Sequence, residues 1–119
     1  MTIPEKMMGV FKTEPGYDKM DFLPLDVPKA VDDKVLIKVA FTGICGSDIH
    51  TFKGEYNNPT TPVVLGHEFS GQVVAVGDQV TKVKVGDRVT SETTFETSTD
   101  IYTHDKQYNL AMWRKGIGT

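Results

Sequence analysis

The sequence predicts a small all-β barrel with a little helix. Its apolar residues fall in short β-branched runs, Gly and Pro separate these runs throughout, and no long stretch has helical periodicity. At 119 residues the chain has room for one domain, which we expect to span residues 1–119. Many short strands joined by turns are typical of barrels and sandwiches, so the expected class is mainly β.

The first half of the chain contains three candidate strands. Met7–Thr13 and Met20–Leu25 are predicted to flank a turn at residues 14–17, where Pro and Gly follow one another. Val35–Thr42 is the clearest strand, because it is β-branched and roughly alternating. Gly43–Thr51 breaks this strand and is expected to open a short helix, with Ser47 or Asp48 as its cap.

The second half is less regular. A polar loop with two prolines covers residues 57–62, and Glu68–Val76 is predicted to be a strand that ends in a turn at residues 77–78. Val83–Thr90 is predicted to be a hairpin built on its Gly-Asp pair. Residues 91–107 are rich in Thr, Ser, Asp and Glu, which favours an excursion outside the core.

Composition and charge exclude several classes of protein. The net charge of −3 provides no basic face for a nucleic acid. No apolar run is long enough to cross a bilayer, and the first ten residues lack the apolar segment of a signal peptide. The single cysteine, Cys45, rules out an internal disulfide framework. These features together predict a soluble cytoplasmic protein.

The residues most suited to chemistry are Cys45, His67 and Glu68. Thiolate, imidazole and carboxylate are the three ligand types of catalytic zinc sites, which keep one position open for water or substrate. Their spacing alone is a weak signal, since only the fold could bring Cys45 to His67. A lone cysteine is commonly a small buried apolar residue, and a lone histidine is more often an ordinary polar group than a metal ligand.

Three ordered motifs strengthen the zinc hypothesis. The segment Gly66–Gly71 (GHEFSG), followed by Gly77 and Val80, matches the signature of the zinc-dependent medium-chain alcohol dehydrogenases. Residues 43–50 (GICGSDIH) resemble the segment of that family that holds its first zinc ligand, and residues 85–89 (VGDRV) resemble its barrel-closing turn. The resemblance covers nearly the whole chain, is nearest to the sorbitol, butanediol and threonine dehydrogenases, and implies a GroES-like barrel without a Rossmann domain.

The resemblance also implies roles for individual residues. Cys45, His67 and Glu68 correspond to the metal ligands, Asp48 to the acid that orients the ligand imidazole, and Ser47 to the hydroxyl that takes the substrate proton. His50 corresponds to the group that relays the proton to solvent, a task suited to a side chain that titrates near neutrality. Ser47 and Asp48 could instead be plain helix caps, and His50 a solvated surface residue.

The implied activity is the NAD-linked oxidation of a secondary alcohol or polyol to a ketone at one catalytic zinc. Relatives carry a second, structural zinc on four cysteines in the segment corresponding to residues 91–113; this chain lacks those cysteines, so no structural zinc is expected. No residue of the chain is expected to bind the nicotinamide, since the GIG at residues 116–118 lacks the following helix of a dinucleotide site. The isolated chain is therefore expected to be inactive.

Two alternatives remain open from sequence. A zinc-free relative such as a quinone reductase would not need the Cys45, His67 and Glu68 set. A non-catalytic barrel would act through its loops or strand edges. Surface normally covered by a second domain would then favour self-association into a homo-oligomer.

Overall fold

A computed structural model describes residues 2–55, 61–96 and 114–116. These residues form a mainly β fold, which confirms the predicted class. The described elements, in chain order, are β1 (Lys6–Lys12), β2 (Met20–Asp26), β3 (Val35–Thr42), α1 (Gly46–Lys53), β4 (Val63–Val64), β5 (Phe69–Val76), β6 (Arg88–Thr90), β7 (Thr94–Glu96) and β8 (Arg114–Gly116). In the described part of the chain no helix is long and apolar enough to cross a membrane.

The first sheet has the order β2-β1-β4 and is antiparallel. β1 and β2 form the predicted hairpin, and the loop between them is held by the buried Lys12, which is 3% exposed. The Lys12 ammonium donates to the carbonyl of Gly16 and, over 2.7 Å, to that of Asp18. The Asp18 N–H in turn donates to the Phe52 carbonyl over 2.8 Å, so the loop is fastened to the end of α1.

The second sheet has the order β3-β5-β6 and contains the buried centre of the fold. Val73, in the middle strand, is 1% exposed. β3 has the predicted bounds, and its ladder with β5 is interrupted by two register shifts of the kind that β-bulges produce. The predicted hairpin over residues 83–90 is wrong: its first half forms a turn in which the Asp87 carboxylate accepts from the Lys84 N–H, and β6 pairs with β5 instead.

The helix α1 follows β3 after a short connection. Its N-cap is Cys45, in extended conformation, so the prediction of Ser47 or Asp48 as the cap is wrong. Asp48 lies at the third helical position and completes a capping box with Cys45. The helix ends at Gly54 with φ +73°, a left-handed conformation that favours glycine. A Cβ there would also lie 2.6 Å from the Gly16 backbone.

β7 and β8 pair with each other and form a third, two-stranded sheet. β7 lies inside the polar excursion predicted for residues 91–113, so residues 94–96 are strand rather than loop, and β8 begins directly after it. The predicted absence of a structural zinc concerns residues 91–113, of which residues 97–113 lie outside the described residues.

Candidate metal centre

The three predicted ligands meet at one point. Cys45 lies at the N-terminus of α1, and His67 and Glu68 lie between β4 and β5. The connection from β3 to α1 is hydrogen-bonded to the segment before β5, because the Gly43 N–H donates to the Glu68 carbonyl over 2.8 Å. One ligand atom from each of Cys45, His67 and Glu68 lies within 4.8 Å of the other two. The fold thus supplies the proximity that spacing could not.

This cluster fits a zinc ion in chemistry and nearly in size. Zn–S bonds of about 2.3 Å and Zn–N or Zn–O bonds of about 2.0–2.1 Å place the ligand atoms of a tetrahedral site with one thiolate roughly 3.3–3.6 Å apart. The three ligand atoms observed here lie within 4.8 Å of one another, a limit about 1 Å wider than that range. Cys45 and His67 are partly exposed to solvent and Glu68 is exposed, so one side of the site faces solvent.

Asp48 links the helix end to the imidazole of His67. Its Oδ2 accepts from the Cys45 N–H over 2.8 Å, and its Oδ1 lies 3.8 Å from His67 Nδ1. Both side chains are largely buried, at 15% and 11% exposure. Among the described residues His67 Nδ1 has no hydrogen-bond partner, so the Asp48 carboxylate is placed to accept from it after a small approach. Nε2 is then the nitrogen left for a metal.

Ser47 and His50 occupy different surroundings. Ser47 Oγ lies 3.5 Å from His67 Nε2, on the ligand side of the imidazole. His50 is more than half exposed, and its Nδ1 lies 2.7 Å from Glu55 Oε2. This hydrogen bond holds the pKa of the Glu55 carboxyl below its ordinary value. The structure therefore brings Ser47 into the cluster and pairs His50 with Glu55.

An apolar cavity of about 340 Å³ adjoins the cluster. Gly43, Asp48 and Gly66 contribute to its wall, together with apolar side chains that include Ile49 and Phe52. Apolar walls lower the local dielectric constant, which strengthens the interaction between the Asp48 carboxylate and the His67 imidazole.

Two contacts of the site were not predicted from sequence. Glu55 follows the end of α1, and nothing in its local pattern indicated a partner for His50. Thr42 and Gly43 contact Glu68 across the sheet end, and only the β3–β5 pairing makes that contact visible.

The fold and the cluster together define a GroES-like domain of the medium-chain dehydrogenase type. The chain belongs to the alcohol dehydrogenase GroES-like domain family, which it matches over residues 31–119. Its matches cover the N-terminal part of the relatives.

Individual relatives agree with this assignment. The chain is 74% identical over 114 residues to D-arabitol-phosphate dehydrogenase from Enterococcus avium, covering 95% of this chain and 32% of that protein. It is 45% identical over 113 residues to sorbitol dehydrogenase from Halalkalibacterium halodurans, covering 94% of this chain and 33% of that protein. The chain therefore spans about one third of the length of these relatives.

Solved structures show the same fold. A zinc-binding dehydrogenase from Sinorhizobium meliloti bound to NADP superposes with a TM-score of 0.86 at 31% identity, covering 97% of this chain and 33% of that one. Galactitol-1-phosphate dehydrogenase from Escherichia coli superposes with a TM-score of 0.82 at 28% identity, covering 95% and 32%.

Proposed function

We propose that this chain is one domain, residues 1–119, that supplies the catalytic zinc site of a dehydrogenase, which oxidises a secondary alcohol of a polyol with NAD or NADP. The observation that carries the proposal is the convergence of Cys45, His67 and Glu68 within 4.8 Å. The relative at 74% identity favours a phosphorylated polyol as the substrate. The nicotinamide would bind to a part of the enzyme beyond this chain.

In the proposed site Cys45, His67 and Glu68 would hold the zinc. When bound, the metal would act as a Lewis acid that favours the alkoxide form of the substrate alcohol. After a small approach to His67, the Asp48 carboxylate, 3.8 Å from Nδ1, would accept the Nδ1 proton and leave the Nε2 lone pair for the metal. Asp48 also fixes the backbone of Cys45, so that one carboxylate orients two ligands.

The substrate proton would leave through hydroxyl and imidazole groups. Ser47 Oγ, beside His67 Nε2, is placed to accept the proton of an alcohol that approaches the open side of the cluster. His50 would pass this proton to solvent, in keeping with its exposure. If Nδ1 donates to the Glu55 carboxylate, Nε2 would be the proton acceptor of His50.

A chimeric enzyme tests this function. The corresponding third of the D-arabitol-phosphate dehydrogenase is replaced by this chain, and formation of reduced nicotinamide is followed with polyols and polyol phosphates. We expect turnover that depends on zinc and is abolished by His67→Ala. A folded chimera that carries zinc and remains inactive, while the parent enzyme works, would contradict the proposal. The isolated chain is expected to form no reduced nicotinamide.

A non-catalytic, self-associating barrel is the second candidate. Within the described residues β3 is the outer strand of its sheet, and it exposes Val39 and Phe41, the latter by 78%. Exposed apolar side chains on an outer strand favour association with a second copy. We expect light scattering to show concentration-dependent association that Phe41→Ser weakens. A monomer at every concentration would exclude this candidate.

A further inference from the structure

The end of β3 holds the backbone of Glu68 from one side. The Gly43 N–H and the Thr42 hydroxyl both donate to the Glu68 carbonyl, over 2.8 and 3.0 Å. These two hydrogen bonds hold the Glu68 carbonyl against the end of β3. The Glu68 carboxylate also lies against Gly43.

Gly43 leaves the space that this carboxylate occupies. A Cβ on Gly43 would overlap Glu68 Oε2, and it would lie 3.3 Å from Glu68 Cβ and 3.5 Å from Glu68 Cδ. Gly43 is not among the residues with positive φ, so its backbone conformation does not require glycine. The requirement is one of space alone.

Of these contacts, the severe one is with the far end of a flexible side chain. An added methyl group at Gly43 would move the Glu68 carboxylate and leave the backbone nearly unchanged. The same carboxylate is one of the three candidate metal ligands whose ligand atoms lie within 4.8 Å of one another. A methyl group at this position would therefore disturb the arrangement of the three candidate metal ligands more than it disturbs the fold.

We infer that Gly43 is a positioning residue of the metal centre, since the absence of a side chain there admits the Glu68 carboxylate to Cys45 and His67. This inference rests on the metal centre proposed above. In this inference Gly43 acts only through Glu68, whose side chain it contacts. The resemblance to known families assigns it no such role.

Cobalt(II) binding to the full 119-residue chain tests the inference. Co²⁺ reports its ligands directly, through a thiolate charge-transfer band from Cys45 and ligand-field bands that depend on the other donors. We expect Gly43→Ala to keep the thiolate band, to change the ligand-field bands and to weaken Co²⁺ binding about 10- to 100-fold, as loss of a ligand's supporting contact does.

Gly46→Ala is the matched control, because a Cβ on Gly46 meets nothing within 4 Å. It should bind Co²⁺ like the wild type with the same spectrum. Glu68→Ala supplies the second arm: in that background Gly43→Ala should weaken binding no further, since the group through which it acts is gone.

The possible outcomes test the positioning role of Gly43 separately from the existence of the metal centre. A folded Gly43→Ala variant with wild-type affinity and spectrum would overturn the inference and leave the metal centre standing. So would full additivity of the Gly43 and Glu68 substitutions. If Gly43→Ala alone does not fold, the Gly43→Ala/Glu68→Ala double variant should fold, and its failure would overturn the inference. Wild-type chain that binds no Co²⁺ would overturn the centre itself.

Discussion

Asp48 makes two interactions, one with the backbone of Cys45 and one with the imidazole of His67. Two substitutions at Asp48 should separate their effects. Its Oδ2 accepts from the Cys45 N–H at the start of α1, and its Oδ1 faces His67 Nδ1. Asp48→Ala removes both interactions. Asp48→Asn keeps an oxygen that can accept from Cys45 but removes the negative charge.

The expected loss of stability follows from the helix cap. Asp48 stands at the third helical position, where an acidic side chain in the first turn contributes about 0.3–1 kcal/mol. The half-buried Cys45 N–H would also lose its partner, so we expect Asp48→Ala to cost about 2 kcal/mol. For Asp48→Asn, loss of the carboxylate at the positive end of the helix costs about 0.3–1 kcal/mol.

Metal affinity should respond differently. The Asn side chain cannot act as a charged acceptor for the His67 N–H, so both variants should bind zinc about 10- to 100-fold more weakly. Stability would be measured by urea unfolding of the metal-free chain, and affinity by competition with a chromophoric chelator. Asp33→Asn is the control, because Asp33 is an exposed carboxylate paired only with its neighbour Lys34 among the described contacts. Wild-type zinc affinity in Asp48→Asn would refute the orienting role.

Three further predictions concern the fold and the exposed histidine. Val73→Ala should cost about 1–3 kcal/mol in urea unfolding, since this side chain is 1% exposed; a cost near zero would contradict its place in the core. Lys12→Met should lower the free energy of unfolding by about 2 kcal/mol, because the ammonium loses its two carbonyl partners. Lys6→Met, which removes only an exposed ion pair, should lower it by less than about 0.5 kcal/mol. Equal costs would contradict the role of Lys12 in holding the β1–β2 loop. His50→Ala should raise the pKa of Glu55 towards 4.5 in a carbon-detected NMR titration, because it removes the hydrogen bond that lowers this pKa in the folded protein. Since the folded-state pKa is lowered, the contribution of the pair to stability is lost as the pH falls through it. An unchanged Glu55 titration would show that the pair does not form.

Local sequence pattern predicted the longer strands well. β3 has the predicted bounds because its β-branched residues and the glycine that follows are local signals. β4 was missed since it is two residues long and follows Pro62. β7 and β8 were missed because each is three residues long, and their pairing joins segments far apart in sequence. Such pairings depend on long-range contacts that periodicity does not record.

The N-terminus of α1 shows the limit of propensity. Ser and Asp are favoured caps, yet the chain places Cys45 at the cap and Asp48 one turn in. The departure coincides with the candidate metal centre, where the thiol must stand at the helix end. At functional sites, the residue that the chemistry requires can occupy a position where helix-capping preference favours another residue.

The donor cluster itself could not be derived from spacing. Residue types suggested Cys45, His67 and Glu68, and only the family resemblance indicated that they would meet. Their proximity now has a physical basis in the β3–β5 pairing, which carries Gly43 to Glu68. The contacts of Gly43 and Glu55 had no sequence signal, because each depends on the placement of a side chain in space.

Zinc content tests the central claim most directly. The chain would be purified without chelator or added metal, and zinc per protein would be measured by elemental analysis for the wild type and Cys45→Ser. We predict about one zinc per wild-type chain, since the described residues offer one three-ligand cluster, and its loss from the variant. A wild-type chain that contains no zinc and cannot be loaded with it would contradict the metal centre. Zinc retained in full by Cys45→Ser would do the same.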